Sequence, residues 1–397
     1  MYWLITAPTI VITVDDKQQQ RSALDTILIK VASRCNINCQ YCYVYNMGDD
    51  NWSRLEKLMS TETMDAVCDA LKTVIGYQNK CFSVVLHGGE PFLLGSLKLE
   101  YLLKNLRKAI PSAYPISIQT NGVLITREIL DICSTFQVSV AVSIDGPEHV
   151  HNKHRVSHKG EGTFKDVLRG IEELKAHPDA AFLNAGLLAV IDPVSDPKEI
   201  YNFFKAIGAP SVDFLYKDGN HTNLPLHKSS LASTEYGSWM TGLLHTYLED
   251  YNPLPIRVLD DMLKVLLGGI VTKEGLGITD FGIIIIDTDG TVMKNDTLKS
   301  SYNGADKFIK PLNIKDPNWI EFLHSKEFNA YREMQKPTNL QCVSCPELSV
   351  CGGGMILHRW SKENGFDNPS VYCADQLHLI SHMRKKLAQF DLKYERV

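Results

Sequence analysis

Between residues 25 and 216 the pattern of apolar and polar positions alternates between two periods. Short runs rich in β-branched residues, Asp25–Ala32, Phe82–His87, Ile116–Thr120, Val138–Ile144, Ala181–Val190 and Ser211–Tyr216, read as strands. Between them apolar positions recur every three or four residues, predicting helices over Thr61–Gly76, Leu97–Ala109, Arg127–Thr135, Thr163–His177 and Pro197–Ile207. Met64, Val67, Cys68, Leu71 and Val74 trace one such helix face. Six strand–helix units imply an α/β fold with a parallel sheet, either open or an incomplete barrel. In both cases function gathers at the carboxyl ends of the strands.

After Tyr216 the pattern changes. A polar loop over Lys217–Ser233 leads to helices near Glu235–Glu249 and Ile256–Leu267, and Gly282–Met293 reads as a hairpin turning at Asp289-Gly290. A helix near Trp319–Met334, a cysteine-rich coil over Gln341–Tyr372 and a terminal helix over Ala374–Gln389 follow. This last part is too poor in regular elements to build a large core, so a metal is expected to organise it. The expected divisions are an N-terminal extension (1–24), a barrel (25–230), a helical linker (231–275) and a C-terminal domain (276–397).

Composition narrows the class. The 397 residues are 44% apolar, enough for a full core, and the net charge of -5 with no lysine or arginine block gives no footprint for nucleic acid. Met1–Val14 lacks a basic start and a small-residue cleavage site, and no apolar run approaches the roughly 18 residues of a membrane span. A cytoplasmic protein is expected.

Seven of the ten cysteines fall in two clusters, a spacing that favours metal over disulfides. The other three, Cys68, Cys81 and Cys133, read as buried filler. Cys35-x3-Cys39-x2-Cys42 offers only three thiolates, which leaves one metal position of an iron–sulfur cube open to a small molecule. Cys342-x2-Cys345-x5-Cys351 with Cys373 offers four, enough to close zinc or a complete cube, and spacing alone does not separate these. Around the first cluster, His87-Gly-Gly-Glu-Pro91, Gln119-Thr-Asn-Gly122 and Ser143-Ile-Asp-Gly146 end successive strands, so their polar groups converge on one rim.

The cysteine triplet with Tyr41 before its last member, and the order of the three rim motifs behind it, resemble the radical S-adenosylmethionine (SAM) enzymes. The resemblance implies a partial (β/α)6 radical SAM barrel in which Cys35, Cys39 and Cys42 hold a [4Fe–4S] cluster whose open iron binds SAM. It also implies that Gly88, Gly89 and Glu90 meet the methionine amino group, and that Ser143 and Asp145 meet the ribose or methionine part. Arg155 pairs with the carboxylate, Gln119 and Asn121 supply amide donors, and Leu188 packs on the adenine. The segment from Cys342 to Cys373 resembles the SPASM extension of peptide-modifying members, which implies an auxiliary [4Fe–4S] cluster on Cys342, Cys345, Cys351 and Cys373. Asn295 and Met355 stand where that pattern has further cysteines, so two clusters are expected and not three. Asp287-Thr-Asp-Gly-Thr291, Asp296-Thr-Leu-Lys299 and the stretch His358–Cys373 resemble the cyclophane-forming maturases of ribosomal peptides.

That likeness implies a concrete reaction. The 5′-deoxyadenosyl radical takes a β-hydrogen from a precursor peptide, the carbon joins an aromatic ring carbon, and one proton and one electron leave. Asp296 is the first candidate base and Asp218 the second. Thioether formation, epimerisation and oxidation to formylglycine are the alternatives. The expected partners are a precursor peptide with a leader and an external flavodoxin or ferredoxin. Residues 1–24 leave no room for a separate leader-binding domain, and Thr9–Val14 reads as an edge strand that a leader could join.

Overall fold

The computed structural model describes residues 24–278 and 280–394; Thr9–Val14 lies outside them. One eight-stranded sheet dominates, in the order β10-β9-β1-β3-β4-β5-β7-β8. Its strands are β1 (Thr26–Ala32), β3 (Ser83–Gly88), β4 (Ile116–Thr120), β5 (Val138–Ser143), β7 (Asn184–Val190), β8 (Val212–Leu215), β9 (Ile283–Ile286) and β10 (Val292–Met293). All neighbours pair in parallel except the β9–β10 hairpin. Helices such as Thr61–Tyr77, Gly95–Ala109 and Phe164–Ala176 cover the outer face. β3, β4 and β5 alternate buried and part-buried positions, although parallel strands usually read as continuous apolar runs. Their outward residues sit under the helices, while several inward ones line an open interior.

The six predicted strands of the barrel are present. Four local readings differ. Ala180–Leu183 is a helical turn, so β7 starts three residues after the expected Ala181. The helix expected over Trp319–Met334 breaks at Ser325, whose hydroxyl accepts from the Phe328 amide and caps a new helix, Lys326–Glu333. The loops after β1 and β5 carry a small antiparallel pair, β2 (Ile37–Cys39) with β6 (Arg155–Ser157), that places Cys39 opposite Arg155. Cys81 is exposed, which corrects its reading as buried filler; Cys68 and Cys133 are buried.

The hairpin is not a separate layer. β9 pairs along β1 from Thr26↔Ile283 to Ile29↔Ile286 and extends the barrel sheet. The helix Glu235–Glu249 lies between the helices Pro197–Ala206 and Cys373–Tyr394. Their closeness explains Gly237: a Cβ there would lie 2.6 Å from the Asp375 carbonyl oxygen. Asp375 in turn meets Lys228 at 2.6 Å with both side chains fully buried, and accepts from the Gly237 amide at 2.7 Å. Among the described residues no helix is long and apolar enough to cross a membrane.

Candidate active site and auxiliary cysteine site

The barrel interior opens into a cavity of about 300 Å³ at the carboxyl ends of its strands, and Cys35, Cys39 and Cys42 all face it. Burial pushes the Cys35 thiol up to about 12 and the Cys42 thiol to about 11, so the chain alone does not stabilise thiolates here. Three gathered, unbridged thiols whose protein surroundings oppose ionisation suit a positively charged metal centre that would favour the thiolate form.

Two glycines hold that loop in place. Gly88 has φ +139, and a Cβ on it would lie 2.2 Å from the Ala32 carbonyl oxygen; one on Gly89 would lie 2.0 Å from the Tyr45 hydroxyl and 2.2 Å from the Arg34 carbonyl oxygen. The Gly89 amide donates to Ala32 O and the Glu90 amide to Arg34 O. The end of β3 is thereby laid against the cysteine loop with no room for side chains.

The predicted rim residues divide between cavity and support. Gln119, Asn121, Ser143, Arg155 and Tyr41 line the cavity. Gln119 Nε2 donates to Ser143 Oγ at 2.9 Å, and Asn121 Nδ2 lies 3.6 Å from Cys35 Sγ. Arg155 Nη1 donates to the Tyr41 hydroxyl at 2.9 Å, while its Nε is buried without a partner, a free donor suited to a carboxylate.

Glu90 has three hydrogen-bond donors within the protein. It is fully buried behind the wall, with Oε1 accepting from the Phe92 amide and Thr120 hydroxyl and Oε2 from the Asn121 amide. Its carboxylate ties β3 to β4 and caps the turn Pro91–Leu94. Burial raises its pKa to about 7 against those hydrogen bonds. Asp145 is likewise set back, accepting from Tyr41 and from the Val190 amide. Leu188, opposite Ser143 in the sheet, is absent from the cavity wall, whereas Val190, two residues on and on the same strand face, lines it.

The second cysteine set also converges. Cys342, Cys345, Cys351 and Cys373 line a cavity of about 200 Å³. Gly352, Gly353 and Gly354 follow with φ of 62, 79 and 70, a left-handed run that turns the chain around Cys351. Cys351 and Gln376 belong to the walls of both cavities, so one layer of side chains separates them.

The two candidate bases occupy different surroundings. Asp296 is 1% exposed and lies behind the cavity wall, with Lys30 at 2.6 Å and Lys299 at 3.1 Å. Burial alone would raise its pKa, but the two lysines outweigh that and hold it at about 2. Tyr43 stands between it and the cavity, its phenol pKa held up first by burial and then by the Asp296 carboxylate. Asp218 lines the cavity directly, and burial followed by Glu274 pushes it up to about 7. Glu274 lines the same wall and accepts from Asn295 Nδ2. Neither Glu274 nor His358's place in this wall was predicted; Glu274 stands in an ordinary polar loop, and only the fold brings it to the cavity.

Residues 29–203 match the Radical SAM superfamily. This part of the chain is a radical SAM domain, and the protein is a radical SAM enzyme, a class that uses SAM and a [4Fe–4S] cluster. The chain is 26% identical over 357 residues to a cysteine-type anaerobic sulfatase-maturating enzyme of Clostridium perfringens, covering 88% of this chain and 93% of that one. It is 27% identical over 176 residues to the radical SAM cyclopropyl synthase TigE of Paramaledivibacter caminithermalis, covering 41% and 35%. Among solved structures, native anSMEcpe with bound AdoMet superimposes with a TM-score of 0.76 at 24% identity, covering 92% of this chain and 98% of that one. Streptococcus suis SuiB bound to S-adenosylmethionine gives 0.60 at 13%, covering 89% and 78%. At these identities both show the fold.

Proposed function

We propose that this enzyme modifies a ribosomal precursor peptide by joining an aromatic ring carbon to the β-carbon of a nearby residue. The observation that carries the reading is the shared wall: the cavity beside Cys35, Cys39 and Cys42 abuts the second cysteine site through Cys351 and Gln376. An oxidative ring closure needs those two ends together. Cys35, Cys39 and Cys42 would hold the cluster whose bound SAM would supply the 5′-deoxyadenosyl radical, and Cys342, Cys345, Cys351 and Cys373 would hold one that could accept an electron.

The chain's own groups do the remainder. Arg155 Nε is free to take the methionine carboxylate, and the Gln119–Ser143 pair presents polar atoms to the cofactor beside it. Asn121, close to Cys35 Sγ, polarises that ligand. The proton released as the ring regains aromaticity passes towards Asp296 by way of the Tyr43 hydroxyl. A pKa of about 2 does not disqualify Asp296, because a ring carbon bearing both hydrogen and positive charge is a far stronger acid.

Oxidation of a serine or cysteine side chain is the second reading, favoured by the similarity to the sulfatase-maturating enzyme over 88% of the chain. Anaerobic incubation with SAM, a reductant and the precursor peptide encoded beside the enzyme, followed by tandem mass spectrometry, separates the two. Ring closure removes two hydrogens and suppresses fragmentation across a three-residue span. A product that fragments normally and reacts with hydrazine is an aldehyde, which would overturn the crosslinking reading.

A further inference from the structure

The wall of the main cavity includes three polar side chains whose hydrogen-bonding capacity the protein leaves largely unused. Asp218 comes from the loop after β8, Glu274 from the segment before β9, and His358 from the turn Ile356–Arg359. Among the described residues no hydrogen bond or ion pair reaches Asp218. His358 is 3% exposed, and its Nε2 is buried without a hydrogen-bond partner. Burial, then Arg359, pushes its pKa down to about 3, so the ring is neutral and Nε2 can accept. Glu274 spends Oε2 on Asn295, the residue standing where the SPASM pattern has a cysteine.

The protein's cations along this wall each have partners of their own, and Arg155 Nε, the free donor among them, is assigned to the cofactor carboxylate. Lys217 lies between His154 and Asp192, Lys273 is 3.1 Å from Asp213, and Arg155 is bound to Tyr41. Arg359 donates through Nη2 to the carbonyls of Met334 and Gln335; its buried Nε has no hydrogen-bond partner, and its charge offsets part of the burial that raises the Glu274 pKa. Two carboxyl groups and an unpaired imidazole nitrogen in a largely apolar cavity form an incomplete set: burial raises both carboxyls to about 7, and a cationic ligand would supply the charge that lets both ionise.

We propose that Asp218, Glu274 and His358 form a subsite for a cationic side chain of the substrate peptide, with arginine the best fit. A guanidinium offers five N–H donors in a planar fork, enough to serve two carboxylates and an imidazole at once. Phe214, Val258, Met262 and Leu276 line the same cavity and would pack against the aliphatic stem. The assignment rests on the reading of this cavity as a peptide site. It makes Asp218 a binding group, leaving the proton to the Tyr43–Asp296 route.

The test uses the cluster-loaded enzyme with SAM under anaerobic conditions and three dye-labelled probes, the amides of Trp-Gly-Arg, Trp-Gly-citrulline and Trp-Gly-Glu, read by fluorescence anisotropy. Arginine should bind about tenfold or more tightly than its neutral isostere citrulline, with glutamate weakest. Asp218→Asn with Glu274→Gln should abolish the arginine preference, iron content and melting temperature serving as the check on folding. Equal binding of arginine and citrulline by the wild type would overturn the subsite without recourse to any variant. So would a preference that survives the double substitution. Because binding is read without turnover, an arginine preference in an enzyme that closes no ring would retire the crosslinking reading alone.

Discussion

Asp296 and Asp218 are the same side chain in opposite electrostatic settings, and pH separates them. Asp296 is held at about 2, below its ordinary value of 3.8, so the stability it contributes is present above pH 4 and is lost as pH falls through about 2. Asp296→Asn leaves Lys30 buried without its counter-charge and Lys299 with Asp306 alone, at 3.5 Å; a loss of about 3–5 kcal/mol is expected, seen as a lower melting temperature at pH 7. Asp218 behaves in reverse. With its folded pKa raised to about 7, the folded state keeps a proton that the unfolded chain has given up, so stability falls as pH rises from about 4 to 7. Asp218→Asn should therefore raise the melting temperature at pH 8, by about 1–4 °C, and have little effect near pH 4. A shift of equal size at both values would show that Asp218 is not held neutral by its surroundings.

The decisive element is the junction of β3 with the cysteine loop. Gly88 and Gly89 allow the end of the strand to lie against Ala32 and Arg34, and this contact sets where Cys35 stands. Gly89→Ala places a methyl group 2.0 Å from the Tyr45 hydroxyl and 2.2 Å from a backbone oxygen that cannot give way. Loss of iron from the first site is expected, with the C-terminal site still loaded, so iron per chain after reconstitution should fall by about half. Full occupancy would mean that the loop relaxes at little cost. Parallel pairing of β9 on β1 acts at the same scale, since it carries Asn295, Asp296 and Thr297 from the hairpin to the cavity's side of the barrel.

At the scale of the whole molecule, two cysteine sites are separated by a single layer. Asn295 and Met355 replace the cysteines that the SPASM pattern has between them, and Glu274 fills part of that space through its contact with Asn295. Two cubes give about eight irons per chain, and Cys342→Ala with Cys345→Ala should leave about four. A wild-type value of about twelve would require ligands other than cysteine for a third cluster. The buried Lys228–Asp375 pair fastens the C-terminal helix to the loop after β8, so the second site is locked to the barrel by a contact two residues from Cys373.

Patterning and motifs in the sequence were enough for the six barrel strands, most of their helices, the two cysteine sets and the rim residues Gln119, Asn121, Ser143 and Arg155. Strand period, helix period and metal-ligand spacing are local properties, written within a few residues of one another. The tertiary structure decided what depends on partners distant in sequence. Glu90 gains a structural part as well, because the amides of Phe92 and Asn121 and the Thr120 hydroxyl donate to its oxygens. Val190, on the same strand face as Leu188, lines the cavity, a place that pattern alone did not single out. Asp218, Glu274 and His358 belong to segments dozens of residues apart, and no periodicity links them. Only the packing of the C-terminal segment over the open barrel sets them around one cavity, where shared burial gives them a chemistry none carries alone.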